Sequence, residues 1–435
     1  MPRSNALYVG IDLGTSGCRA IAINYSTEIV AQAAASLPAP VHKHPQVEQN
    51  PALWWQAVCT VLSELLKKID ARRIKAISVD GTSGTVLLAN ENGQPVSPAL
   101  MYNDSRAINE LERINQIAPD KSVVHSVTAG LPKLLWLQKQ HYPHAHYFLH
   151  QADWISGKFS GQFGVSDLNN SLKTGFDPVL QCWPDWFDQL DINRNILPVV
   201  IQPGTAYAMV SKTISRQFGL DTSCQIIAGT TDSTAAFLAT GAHKPGKAVT
   251  VLGSTLVLKI ISEQPVFNAD YGIYSQPLPN ITGNDDDELW LCGGASNSGG
   301  AVLRQYFTDA QMAAMQAQLK PEIKTGLKYY PLPAKGERFP VNDPELEPQL
   351  SPRPDNDVVF FQGLLEGLSR IEKEGYDKLH AIGTLYPTSV RTTGGGAQNL
   401  AWTRIRERIL NVPVIPAHHT EAAYGSALLA RFGSK

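Results

Sequence analysis

Leu7-Tyr8-Val9-Gly10-Ile11-Asp12-Leu13-Gly14-Thr15-Ser16-Gly17-Cys18-Arg19-Ala20-Ile21-Ala22-Ile23 reads as a strand, a tight turn of glycines and hydroxyls, and a returning strand. Asp12 stands at the bend. Gly14 and Gly17 permit positive φ and let main-chain N–H groups approach an anion, and Thr15 and Ser16 add hydroxyl donors. A carboxylate beside such a loop suits Mg²⁺, usually held through water. The bland alternative is an ordinary hairpin with a glycine-rich turn. A second stretch has the same shape. Ala248-Val249-Thr250-Val251-Leu252-Gly253-Ser254-Thr255-Leu256-Val257-Leu258-Lys259-Ile260 is again an apolar run, glycine, hydroxyls and an apolar run. The echo predicts two related lobes, each with a phosphate loop.

Gly229-Thr230-Thr231-Asp232-Ser233-Thr234-Ala235-Ala236-Phe237 lies between these hairpins and places Asp232 at the start of an alanine-rich helical pattern. The helix dipole there favours an ionised carboxylate. Taken alone, Asp232 is as well explained as an N-cap.

Composition narrows the class. The chain has 435 residues, room for two or three domains, and its 37 basic and 39 acidic side chains nearly cancel. That balance argues against nucleic-acid or membrane-surface partners. Cys18, Cys59, Cys182, Cys224 and Cys292 are far apart and lack metal-ligand spacing, which suits reduced thiols in the cytoplasm. No signal-peptide pattern and no apolar run of bilayer length is present. The oligomeric state is left open between monomer and homodimer.

Between and beyond the hairpins, Glu48-Gln49-Asn50-Pro51-Ala52-Leu53-Trp54-Trp55 opens a helix whose tryptophans fit a core. A buried strand from Ile74 to Val79 ends in Asp80-Gly81-Thr82-Ser83-Gly84-Thr85, the end of a strand where α/β proteins collect ligands. Asn103-Asp104-Ser105-Arg106 fits a polyol contact or, equally, a buried Asp104–Arg106 ion pair. The histidines at 141, 144, 146, 150, 418 and 419 lack a supporting ligand pattern. Residues 157–203 look loop-rich, an insertion that shapes a pocket. Gly241 to Ala248 imitates a phosphate-binding P-loop, but Ala248 replaces the metal-binding hydroxyl and a strand follows. Asp285-Asp286-Asp287-Glu288 reads as a solvated turn. Asp357 to Lys378 is helical with Phe361, Leu364, Leu365, Leu368 and Ile371 on one face. In Gly394-Gly395-Gly396-Ala397-Gln398-Asn399, three glycines at a strand-to-helix turn permit close approach by a flat or anionic ligand.

In this order the segments resemble the FGGY family of carbohydrate kinases, within the actin-like ATPase superfamily. The first hairpin resembles its phosphate loop, Glu48 to Trp55 its Glu-Gln…Trp-Trp segment, and Asn103 to Arg106 its Asn-Asp-x-Arg. Asp232 falls at its catalytic aspartate. Gly394 to Ala397, Trp402 and Glu421-Ala422-Ala423-Tyr424-Gly425-Ser426-Ala427 match its closing motifs. The resemblance implies an α/β, two-lobed actin-like fold with a ribonuclease H-like duplication. A sugar-binding lobe would span 1–240 and a nucleotide-binding lobe 241–435, with the nucleotide in the interlobe cleft.

The same resemblance implies ATP and Mg²⁺ as cofactors and transfer of phosphate to the terminal hydroxyl of a ketopentose. Asp232 would be the base, Asp12 and Asp232 would hold the metal, and Asp12, Ser83 and Asp232 would contact the sugar. Gly14, Thr15, Ser16, Gly253, Ser254 and Thr255 would grip phosphates. Gly299, Gly394, Gly395, Gly396, Asn399 and Trp402 would surround the adenosine. Asp12 and Asp232 are expected to meet across the cleft between the lobes. Xylulose kinases of the family usually carry Met-His where this chain has Thr82-Ser83-Gly84-Thr85. That departure, and the short chain, resemble the compact cyanobacterial and plant D-ribulose kinase branch. D-xylulose or another polyol is the alternative acceptor, and glycerol fits less well for want of the Arg-Glu pair. A nucleotide switch of the actin or chaperone type without an acceptor, and a catalytically weak sugar-binding regulator, are the readings from other classes.

Overall fold

The computed structural model describes residues 5–279, 281 and 288–434. Asp285, Asp286 and Asp287 of the acidic turn lie outside the described residues. Two compact units emerge. One comprises the described residues within 1–239, 276–286 and 421–435, the other those within 240–275 and 287–420.

The first unit is built on a six-stranded sheet. Its strands are β1 (Leu7–Leu13), β2 (Gly17–Asn24), β3 (Ile29–Ser36), β4 (Ile74–Gly81), β5 (Ala206–Met209) and β6 (Gln225–Thr231), in the order β5-β6-β4-β1-β2-β3. β1, β2 and β3 form an antiparallel meander; β4 runs parallel to β1, and β6 parallel to β4. The second unit repeats the plan with β7 (Lys247–Leu252), β8 (Leu256–Ser262), β9 (Leu289–Ser296), β10 (Ser389–Thr393) and β11 (Val414–Pro416). β7, β8 and β9 are the meander, β10 is parallel to β7, and β11 is parallel to β10. The sequence echo is therefore a duplication of topology, and the fold is the two-domain α/β arrangement expected.

Local chemistry explains the main helices. α1 (Pro51–Leu66) starts where the Asn50 side chain accepts from the Ala52 N–H and proline occupies the first turn. It buries Trp54, Val58, Val61, Leu62 and Leu65 against the first sheet's apolar residues. Each such side chain contributes about 1.5–3 kcal/mol. α2 (Asp232–Ala239) follows β6 without a linker. In the second unit α3 (Asp357–Ala381) is capped by Asn356 and buries the face read from its spacing, and α4 (Leu400–Leu410) packs beside it.

The chain closes with α5 (Ala422–Gly433), which packs in the first unit. A single cut at 240/241 does not capture this return. Glycine makes it possible: a Cβ on Gly10 of β1 would lie 2.0 Å from the Ala423 carbonyl oxygen, and one on Gly425 would lie 1.8 Å from that of Ala235. Residues 157–203 are less loose than their composition implies. Phe187, Leu190 and Ile196 are buried in a cluster with Leu131, Leu134 and Leu135 of the helix Gly130–Lys139. No helix of the described residues is long and apolar enough to cross a membrane.

Candidate active site

The strand register of the first unit assembles an acidic centre. Asp12 of β1 pairs with Asp80 of β4, and Asp80 pairs with Thr230 of β6, two residues before Asp232. Neighbouring strands lie about 4.8 Å apart, so these side chains leave one edge of the sheet side by side. The edge is the carboxyl end of three parallel strands, where α/β folds bind ligands. The sheet of the first unit brings Asp12 and Asp232 to one edge without a strand of the second. Both belong to the first unit, and only β4 separates their strands.

Burial sets the electrostatics. Desolvation raises Asp12 from 3.8 to about 6; a hydrogen bond with Asp80 opposes the rise, and the Asp232 charge adds to it. Arg19 reaches Asp12 at 3.6 Å and Glu421 at 3.3 Å, at the head of α5. Asp80 is fully buried, and desolvation with the adjacent Asp12 charge pushes it well above the carboxylate range. Its Oδ2 accepts a 2.5 Å hydrogen bond from Ser426 of α5. The sequence reading placed a ligand edge at Asp80 but gave that residue no role. The signal was an acid at the last position but one of a largely buried strand. Asp232 is half-buried as the first residue of α2, and its Oδ1 accepts from the Ser233 N–H at 2.6 Å.

The loop after β1 keeps its expected donors in reach of solvent. Gly14 and Thr15 are half-buried and Ser16 is exposed. Its glycines work differently from the expectation, since neither Gly14 nor Gly17 has positive φ. Gly17 is needed because a Cβ there would sit 2.9 Å from the Ala35 carbonyl oxygen of β3. Ser83 lies two residues past Gly81, which pairs with Thr231, so Ser83 and Asp232 follow adjacent strand ends. The Ser83 hydroxyl is buried without a partner among the described residues. The Asn103–Arg106 cluster resolves as the ion pair. Arg106 donates to Asp104 at 2.7 Å, bonds Glu48 at 2.7 Å and stacks over Trp136 at 4.8 Å.

The second unit contains a cavity of about 380 Å³ lined by Gly253, Ser254, Gly395, Gly396, Asn399 and Trp402, among others. Thr255, Gly299 and Gly394 are not on its wall. Gly299 is where a Cβ would meet the Ser254 carbonyl oxygen at 2.6 Å, and Gly300 lines the cavity in its place. The glycine triplet divides. Gly394 has φ +82° and faces the Leu252 carbonyl, Gly396 faces Trp402 and Leu252, and only Gly395 has open space beside it. Trp402 is buried and donates to Ser369 Oγ at 3.1 Å, so it forms the cavity floor. Asn399 caps α4 through a 2.9 Å bond from the Trp402 N–H.

The donor set fits Mg²⁺ of one kind. Among the described residues no group of three or more His, Cys, Asp or Glu is arranged as a metal cage. An ion at Asp12 and Asp232 would draw most ligands from phosphate and water, which is how Mg²⁺ is bound in phosphoryl-transfer sites. The raised Asp12 is the matching observation, because crowded buried carboxylates gain from a cation.

Comparison with known proteins gives a consistent picture. The chain is 26% identical to the xylulose kinase of Escherichia coli over 92% of its own length and 84% of that protein's. Its fold matches the crystal structure of a xylulose kinase from Brucella ovis, with a TM-score of 0.86 and 22% identity, covering 98% of this chain and 90% of that one. The glycerol kinase of Plasmodium falciparum, solved with ADP, matches with a TM-score of 0.85 at 18% identity, covering 98% and 89%. The N-terminal domain of the FGGY family of carbohydrate kinases matches residues 7–239 and the C-terminal domain residues 248–434. With both domains matched in order, the chain belongs to the FGGY family of carbohydrate kinases.

Proposed function

We propose that the chain transfers the γ-phosphoryl group of ATP to the terminal hydroxyl of an open-chain ketopentose, D-ribulose foremost, in the cytoplasm. The observation that carries the reading is the shared strand edge bearing Asp12, Asp232 and Ser83. Phosphoryl transfer passes through a loose transition state, so positioning and charge neutralisation supply most of the catalysis. Asp232 orients the acceptor hydroxyl and takes its proton as the bond to phosphorus forms. The dipole at a helix start favours negative charge at that position. Asp12, with Asp232, would hold Mg²⁺, which neutralises charge on the transferring phosphate. Thr15 and Ser16 donate to phosphate in the first unit. In the second, Gly253, Ser254 and Thr255 serve phosphate, and the cavity above Trp402, with Gly395 and Asn399 on its wall, takes the adenosine. Gly299 and Gly394 act by letting main chain pass closely behind that wall. The ADP in the glycerol kinase structure of like fold supports the choice of nucleotide.

Ser83 supports a ketose acceptor, since its unpartnered hydroxyl offers a hydrogen bond to a sugar hydroxyl. D-xylulose is the second reading, favoured by the name of the Escherichia coli relative. Membership in a carbohydrate kinase family removes the switch without an acceptor. A coupled ADP-release assay over D-ribulose, L-ribulose, D-xylulose, L-xylulose, ribitol and glycerol tests the proposal. The highest kcat/KM is expected with D-ribulose. ADP release unaffected by any of the six would overturn it.

A further inference from the structure

Lys133 is a charged side chain with no exposed surface, on the helix Gly130–Lys139. Its Nζ donates to the carbonyl oxygens of Gly84 at 2.7 Å, Met101 at 2.7 Å and Tyr102 at 3.3 Å. It forms no ion pair among the described residues. Burying an ammonium group is costly unless its protons are satisfied, and here three main-chain acceptors satisfy them. Desolvation nevertheless lowers Lys133 to about 7, with the Asp104 charge opposing the fall. A leucine or methionine would leave these buried carbonyls without that donor, so the amine acts through what it holds.

It holds two turns together. One is Thr82-Ser83-Gly84-Thr85 at the end of β4, pinned on its other side by Gln151, whose Oε1 accepts from the Thr82 N–H and hydroxyl at 2.9 Å. Gly84 has φ +83°, and its carbonyl direction is what Lys133 reads. The other turn, Met101–Tyr102, leads into Asp104, which is fixed by Arg106 and by the Val47 N–H at 2.7 Å. Ser83 sits between the Gln151 and Lys133 anchors with its own hydroxyl unpartnered.

We infer that Lys133 is a positioning residue of the acceptor site, fixing the Ser83 hydroxyl through the Gly84 carbonyl and thereby setting selectivity among ketoses. The inference rests on the proposed ketose kinase reading, in which Ser83 contacts the sugar. Lys133 touches no reacting atom. Its effect is expected in the sugar parameters alone, because misplacing a binding group by about 1 Å is enough to cost about a hundredfold in rate.

The test compares wild type, Lys133→Met, Lys133→Gln, Ser83→Ala and the Lys133→Met/Ser83→Ala pair. KM for the ketose should rise about tenfold or more in Lys133→Met, while KM for ATP and sugar-independent ATP hydrolysis stay within about twofold. The D-ribulose to D-xylulose preference should shrink toward unity, Lys133→Gln should lie between, and the double variant should be no worse than the more impaired single. Ketose KM unchanged in a folded Lys133→Met, or multiplicative effects in the pair, would overturn the inference while leaving the kinase reading intact. If Lys133→Met does not fold, Lys133→Gln is judged by the same criteria. A wild type that phosphorylates no ketose overturns the kinase reading and this inference with it.

Discussion

Replacing Asp12 by asparagine should abolish turnover and stabilise the protein. Holding a carboxylate ionised at pH 7.5 when burial has moved its pKa from 3.8 to about 6 costs about 3 kcal/mol. The sign follows from proton binding. Between pH 3.8 and 6 the folded state keeps a proton that the unfolded chain releases. This contribution is therefore most favourable at low pH and is lost as pH rises through 6. The neutral amide would carry no such penalty, so Asp12→Asn should match wild type near pH 4 and exceed it by about 3 kcal/mol above pH 6. In a protein of this size that is about 3–5 °C in Tm. Thermal melts at pH 4.5 and 7.5 without nucleotide read the difference. Adding Mg²⁺ and ATP should raise the wild-type Tm more than that of the variant, narrowing the gap. A variant no more stable than wild type at pH 7.5, or a gap that does not shrink on acidification, would refute the reasoning.

Three other outcomes follow from the same geometry. Asp232→Asn should lose about 10²–10⁴-fold in kcat while keeping the wild-type circular dichroism spectrum, because a general base contributes in that range and the side chain is half-buried at a helix start. Arg406→Met should lower stability in urea by about 3–5 kcal/mol, since fully buried Arg406 bonds Glu372 twice at 2.7 Å and Thr392 at 2.6 Å; replacing Glu372 as well should recover much of the loss. Gly395→Val should raise KM for ATP with Tm unchanged, whereas Gly394→Ala should cost about 1–3 kcal/mol of stability, because of the two only Gly394 combines positive φ with a main-chain oxygen at 2.6 Å.

The repeated pattern of apolar run, glycine, hydroxyls and apolar run was enough to foresee two α/β units, because a strand-turn-strand is written locally. The same locality explains why α1 and α3 begin beside Asn50 and Asn356 and bury the faces their spacing gave. Asp80 was harder. Its significance lies in a register pairing with Asp12 and a hydrogen bond from Ser426, 346 positions away, neither of which is encoded nearby. Lys133 was hidden for a related reason: its partners are backbone carbonyls, which leave no mark in side-chain sequence. The glycines were misjudged in both directions. Gly14 and Gly17 looked like positive-φ positions and are not, while Gly394 looked ligand-facing and is set by the Leu252 carbonyl; Gly396 lines the cavity and also abuts Leu252 and Trp402. A glycine announces that something comes close, and only coordinates say whether that is a ligand or the protein's own chain.

The most direct test is to incubate the enzyme with ATP, Mg²⁺ and D-ribulose and record a phosphorus–proton correlation spectrum of the product. Phosphorus coupled to the terminal methylene protons of the pentulose is predicted, formed by Asp232→Asn at least about a hundredfold more slowly than by wild type. ADP and inorganic phosphate as the only new phosphorus species, or sugar phosphate formed by Asp232→Asn at the wild-type rate, would contradict it.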